Sequence, residues 1–118
     1  MEITSRSCGS CLILDLNGKL VLGPATQKLR NTVRKEVKKN YERIVLNLRN
    51  VTSIDSCGLG ELVSSYTHAQ SFGQHLVLLN PQDKTLRLLI IAKLEAVFDI
   101  FHGEAFAIAG SNRSAVPA

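Results

Sequence analysis

The sequence predicts an α/β domain, and three observations carry that prediction. Two short apolar runs, Ile44-Val45-Leu46-Asn47-Leu48 and Leu76-Val77-Leu78-Leu79, have the length and character of buried strands. Between them Leu59, Leu62, Val63, Tyr66 and Ala69 recur at i, i+3, i+4, i+7 and i+10, the spacing of an amphipathic helix. A strand, a helix and a strand in that order make a βαβ unit, with parallel strands and a right-handed crossover. The third observation is size: 118 residues, 45% of them hydrophobic, suit one domain around one modest core.

The remaining elements follow in chain order. A first strand is expected near Ile3 to Ser7, turned at Gly9-Ser10 into the apolar run Cys11 to Leu16. After Asn17-Gly18, the stretch Lys19 to Leu22 reads as extended or loop, and Gly23-Pro24 punctuates a helix from about Ala25 to Asn40. In that helix Leu29, Val33 and Val37 share one face, while Lys28, Arg30, Arg34, Lys35, Lys38 and Lys39 fill the others. Phe72-Gly73 ends the central helix and Asn80-Pro81 stops the strand after it. A third helix is expected over about Asp83 to Lys93, with Leu86, Leu89, Ile90 and Leu94 facing inward, and Val97 to Phe101 as a last strand. Residues 110–118 hold too little apolar bulk to offset the cost of ordering, so the domain is expected over 1–109 with a flexible tail over 110–118.

Composition narrows the function classes. The formal charge of +4 is concentrated in the basic helix, where a solvated face is the expected role rather than direct contact with nucleic acid. No stretch approaches the roughly 18 apolar residues of a membrane span, and Met1 to Arg6 is too polar to begin a secretory signal. A cytoplasmic protein without membrane contact is expected. Its three cysteines, an odd number, are expected as thiols. Cys8 and Cys11 have the C-x-x-C spacing of zinc and redox motifs, but no second ligand pair completes a tetrahedral site. Two small residues at a hairpin tip are the expected reading, and neither a metal nor another cofactor is expected.

Chemistry is concentrated instead in Ser53 to Val63, SIDSCGLGELV, at the junction of the central strand and its helix. In open α/β sheets, ligand and partner sites gather beyond the carboxyl ends of the strands, where this turn lies. Asp55 and Ser56 are both favoured N-caps, their oxygens accepting from helix amides that otherwise lack partners. Capping leaves Gly58 and Gly60 unexplained, since each lowers helix propensity by roughly 1 kcal/mol against Ala. Close approach by a partner or by an adjacent strand would account for them. A nucleophilic Ser56 or Cys57 would need a base. His68 lies about three turns along the same helix, and His75 begins the next strand at the far end of the sheet. Only His102 is sterically open. The turn also lacks the Gly-x-Ser-x-Gly elbow, and Gly58-Leu59-Gly60 is too short for a dinucleotide fingerprint. A modified Ser56 makes fewer demands, because a phosphate at a helix N-terminus meets free amides and the positive end of the macrodipole.

Ile44 to Gly60, IVLNLRNVTSIDSCGLG, resembles the segment hhLDLsxVxxhDSSGLG of STAS domains, particularly bacterial anti-sigma factor antagonists. The resemblance extends to Asn17–Arg30 and Gly73–Phe101, about 100 residues in all, the turn being specific and the outlying parts agreeing in pattern. It implies a mixed sheet of four or five strands with helices against it. It further implies a non-enzymatic switch that binds an anti-sigma factor serine kinase and so frees a sigma factor. In that family the kinase phosphorylates the serine after the aspartate, which here is Ser56, and a phosphatase acting on phospho-Ser56 would reset the switch. Asp55, Cys57, Gly58 and Gly60 then fall at the partner surface, with Leu22, Gly23 and Thr26 on the neighbouring loop as further contacts. Two positions depart from the pattern: Cys57 replaces the second serine, and Val21 lies where many antagonists carry an aspartate. The same resemblance covers STAS scaffolds and transporter-associated subunits without a phosphorylation cycle.

Overall fold

A computed structural model describes residues 1–109, and the tail expected over 110–118 lies outside them. Five strands form one sheet in the order β1-β2-β3-β4-β5. β1 (Glu2–Cys8) runs antiparallel to β2 (Cys11–Leu20) around the two-residue turn Gly9-Ser10, where Gly9 has φ 62°. β3 (Arg43–Ile54), β4 (His75–Leu79) and β5 (Ile100–Phe101) add in parallel. The α/β class and the mixed sheet are therefore as expected.

Several boundaries differ, each for a local reason. β2 does not end at Leu16 but continues to Leu20, because its register against β3 shifts on either side of Asn17 and Gly18 and the chain stays paired. Gly18, at φ 121°, absorbs the distortion. β3 likewise outruns its apolar core: beyond Asn47 it has lost β4 and pairs with β2 alone as far as Ile54. α1 (Pro24–Glu36) gives way to a 3-10 turn at Val37–Lys39, which Asn40 closes at φ 66°, so the helix is shorter than expected. α2 (Ser56–Ser71) begins three residues before Leu59 and stops where Gly73 turns to φ 73° and the Gln74 N–H donates back to the Ala69 carbonyl.

α3 (Asp83–Ile91) corrects one inward assignment. Thr85 and Leu89 are buried, Leu86 and Leu94 are partly buried, and Ile90 is 48% exposed, since it follows Leu89 by about 100° around the helix. The last strand is only Ile100–Phe101, because Val97 closes a 3-10 turn at Leu94–Ala96 and Phe98 turns into the core. A short helix, α4 (Glu104–Ala109), follows it.

The two faces of the sheet are covered unequally. Leu12, Leu14, Leu16, Ile44, Leu46, Leu48, Leu76 and Leu78 point to the face covered by α1, α2 and α3 and form the main core. Cys11, Ile13, Val45, Val77 and Leu79 point the other way, toward Ala107 and Ile108 of α4. Leu29, Val33 and Val37 of the basic helix are buried as their spacing predicts, leaving Arg34, Lys35 and Lys38 in solvent. The outcome for the turn is positional: with β3 running on beside β2 past the end of β4, the start of α2 is carried to the carboxyl end of the sheet.

Candidate functional site

Asp55 is the N-cap of α2 and the centre of the site. Its extended backbone (φ −114°, ψ −175°) lets the side chain fold back over the first turn, where Oδ1 accepts from the Gly58 N–H at 2.8 Å. Oδ2 accepts from the Leu22 N–H at 3.0 Å, on the loop between β2 and α1. One carboxylate thus joins two loops that are 33 residues apart in sequence. The Leu22 and Gly58 amides, in that order, hold the Asp55 carboxyl below the usual carboxylate range, so it is ionised at neutral pH.

Ser56 is the first residue of α2 and Cys57 the second, and both are exposed. At these positions backbone N–H groups have no carbonyl partner within the helix, and the macrodipole presents its positive end. Capping falls to Asp55, and among the described residues the Ser56 hydroxyl makes no hydrogen bond. Leu22, beside this turn through its bond to Asp55, exposes 71% of its surface.

The two glycines separate. Gly58 is buried, and a Cβ added there would fall 2.1 Å from the Leu20 carbonyl oxygen and 2.7 Å from Ile54 Cγ1. The close approach it permits is therefore internal, between the start of α2 and the end of β2. Gly60 is exposed with nothing within 4 Å of an added Cβ, so the fold itself does not require it. Gly23 caps α1 at φ 124°, a conformation natural to glycine, and Thr26 is buried with Oγ1 donating to the Gly23 carbonyl at 3.0 Å. Thr26 shapes the loop that carries Leu22 and offers little surface of its own.

The histidines stand as the sequence places two of them. His68 is in the last turn of α2, and His75 is at the amino end of β4, 2.7 Å from Asp99. His102 is exposed just after β5. No group of three His, Cys, Asp or Glu side chains is gathered for a metal among the described residues. No helix among them is long and apolar enough to cross a membrane.

Sequence reasoning missed the contacts that hold this end together. Arg30 of α1 donates to Glu61 Oε1 of α2 at 2.8 Å, the carboxylate being buried and the guanidinium half in solvent. That pair and the Leu22 to Asp55 bond fix α1 and its loop against α2. Both span more than thirty residues, and no local spacing announces them.

Comparison with known proteins agrees with the fold. The family model described as STAS domain matches residues 2–107. A protein of Thermotoga neapolitana, provisionally named an anti-sigma factor antagonist homologue, is 35% identical over 63 residues, 53% of this chain and 56% of that protein. The match thus spans just over half the length of this curated relative. A provisionally named anti-sigma factor antagonist from Thermotoga maritima has a crystal structure that superposes with a TM-score of 0.85 at 27% identity, over 94% of this chain and 95% of that one. The phosphorylated form of the Bacillus cell fate determinant SpoIIAA gives a TM-score of 0.71 at 17% identity, over 92% and 98% of the two chains, a likeness of fold.

Proposed function

The chain belongs to the STAS domain family, and from that premise we propose that it is an anti-sigma factor antagonist switched by phosphorylation of Ser56. The observation that carries the reading is the division of labour at one turn: Asp55 caps α2 and ties down Leu22, while the exposed Ser56 hydroxyl has no hydrogen-bond partner among the described residues. Relatives named anti-sigma factor antagonists support the partner class.

In this reading the unmodified protein binds an anti-sigma factor serine kinase through the Ser56 turn and the exposed Leu22, and a sigma factor is freed. Gly60 gives the partner an unobstructed approach, and Cys57 lies beside the acceptor. Gly58, Gly23 and Thr26 act from beneath by holding the turn and its neighbouring loop. The kinase transfers a phosphoryl group to Ser56 Oγ, whose proton leaves to a base on the kinase, and a phosphatase reverses the modification. The chain itself catalyses nothing.

The electrostatics favour a switch that leaves the fold intact. Phosphate adds about −1.5 to −2 charges. Within the domain the helix end offsets part of that charge by about 0.3 to 1 kcal/mol. Across an interface shaped for a hydroxyl, desolvation and like charge cost several kcal/mol, roughly a hundredfold or more in affinity.

The test is to capture the kinase from native extract with the unmodified chain, then titrate it with wild type, phospho-Ser56 protein, Ser56→Ala and Ser56→Asp. Phosphopeptide mapping should place the modification on Ser56, Ser56→Ala should bind constitutively, phospho-Ser56 protein should bind about a hundredfold more weakly, and Ser56→Asp, with less charge than phosphate, should also bind more weakly, each at a nearly unchanged melting temperature. Equal binding by phospho-Ser56 and unmodified protein would replace the switch with the scaffold reading, which Val21 favours.

A further inference from the structure

The Cys8-Gly9-Ser10-Cys11 hairpin lies at the other end of the sheet from Ser56 and takes no part in the proposed function. In the ladder Cys8 stands directly opposite Cys11, so both side chains leave the same face of the sheet. Directly opposed residues of an antiparallel pair have Cα atoms about 4.5 or 5.5 Å apart, and both values fall within the roughly 4.4–6.8 Å span of disulfides. Their Cβ atoms are about 4.5–5.5 Å apart, slightly more than a disulfide prefers. Closure therefore asks for a small inward movement, which Gly9 at φ 62° in a two-residue turn can supply.

The two thiols are not equivalent. Cys8 is exposed on β1, the edge strand, where a small oxidant can reach it. Cys11 is buried against Ile13, Val45 and Val77, and burial pushes its thiol up. On its other side Cys11 is in register with Arg43 of β3, whose positive charge favours the thiolate and whose Nη1 is buried without a hydrogen-bond partner among the described residues. The arrangement is an accessible thiol, a sheltered thiol directly across from it, and a cation next to the sheltered one.

We propose that Cys8 and Cys11 form an oxidation site, closing reversibly into a cross-strand disulfide at the expense of a low-molecular-weight disulfide. Cys8 Sγ, as thiolate, attacks one sulfur of the oxidant; that S–S bond breaks, and the leaving thiolate takes up a proton. Cys11 then loses its proton and attacks Cys8 Sγ, displacing the second thiol. Two protein thiols are oxidised by two electrons, and one small disulfide is reduced to two thiols. The product staples the hairpin that begins the sheet.

The experiment uses Cys57→Ser, which removes the exposed third thiol and leaves only the pair. With oxidised glutathione, both remaining thiols should disappear from a thiol titration, the monomer should become lighter by two hydrogen atoms, and dithiothreitol should restore the starting protein. Cys8→Ser, altered at an exposed position, should keep its Cys11 thiol under the same conditions. Persistence of both thiols, a stable glutathione adduct on Cys8, or a disulfide-linked dimer would each overturn the proposal.

Discussion

Asp55 and Asp15 are both carboxylates held below their usual pKa range, yet the donors that hold them are of different kinds. Asp55, at the carboxyl end of the sheet, accepts from the backbone amides of Leu22 and Gly58. Asp15, on the face covered by α4, accepts from the Arg6 guanidinium at 2.6 and 3.0 Å and from the Asn47 amide at 2.7 Å. Arg6 reaches on to Glu104, at the start of α4, at 2.8 Å. Backbone donors are positioned by the fold itself, and no side-chain replacement elsewhere removes them. Arg6 is a long, exposed side chain whose contacts weaken with salt. The Ser56 end is therefore stiff by construction, and the α4 face is adjustable.

The largest expected effect comes from breaking the stiff end through its backbone. Gly58→Ala places a methyl 2.1 Å from the Leu20 carbonyl oxygen, which cannot move without disturbing β2, and should cost about 3 kcal/mol in urea unfolding. An unchanged midpoint would mean that β2 and α2 separate readily. Acid acts on both regions. Asp55, Asp15 and Glu104 each bind protons more weakly when folded than unfolded, so their contribution is complete above about pH 5 and declines as pH falls through their unfolded and then their lowered folded values. Melting temperature should therefore drop in acid. In high salt the Arg6-dependent part of that drop should shrink while the Asp55 part persists, and a drop abolished entirely by salt would erase the distinction.

Smaller effects sharpen the comparison. Gly60→Ala meets open space and should raise stability by about 1 kcal/mol through helix propensity, in contrast to the same change two residues earlier. If its affinity for the proposed kinase falls while its stability rises, Gly60 belongs to the proposed interface. Arg6→Gln should cost about 0.5 kcal/mol at low salt and less at high salt, with faster amide exchange confined to α4 as the local readout.

The helices and strands that bury a periodic stripe could be read from the sequence: Leu29 and Val33 on α1 with Val37 in the 3-10 turn that follows it, and the apolar runs of β3 and β4. The extensions could not. Arg49, Asn50 and Thr52 are exposed on a part of β3 that pairs on one side only, so they carry no hydrophobic alternation to declare a strand. Asn17-Gly18 has the composition of a turn but lies within β2, because neighbouring backbone kept the ladder closed across it. α4 was missed although Glu104 opens a run of residues with good helix propensity, since six residues are too few for periodicity to show. At the site, the turn motif identified Asp55, Ser56 and both glycines. Which glycine served the fold depended on Leu20, a residue nearly forty positions away, and no local pattern encodes that distance.

The sheet's two outer strands have a consequence for assembly. An unpaired strand edge is a template on which another copy of the chain could stack, and here both edges are poor templates. β1 is long enough to recruit a neighbour, but Glu-Ile-Thr-Ser-Arg-Ser-Cys is almost entirely polar and exposed, and Arg6 sets a charge in its middle. β5, at the opposite edge, offers only two residues. A protein whose proposed work is to be caught and released by its partner must circulate freely between encounters. Its sheet is finished at one edge by charge and at the other by brevity, which discourages growth into fibres.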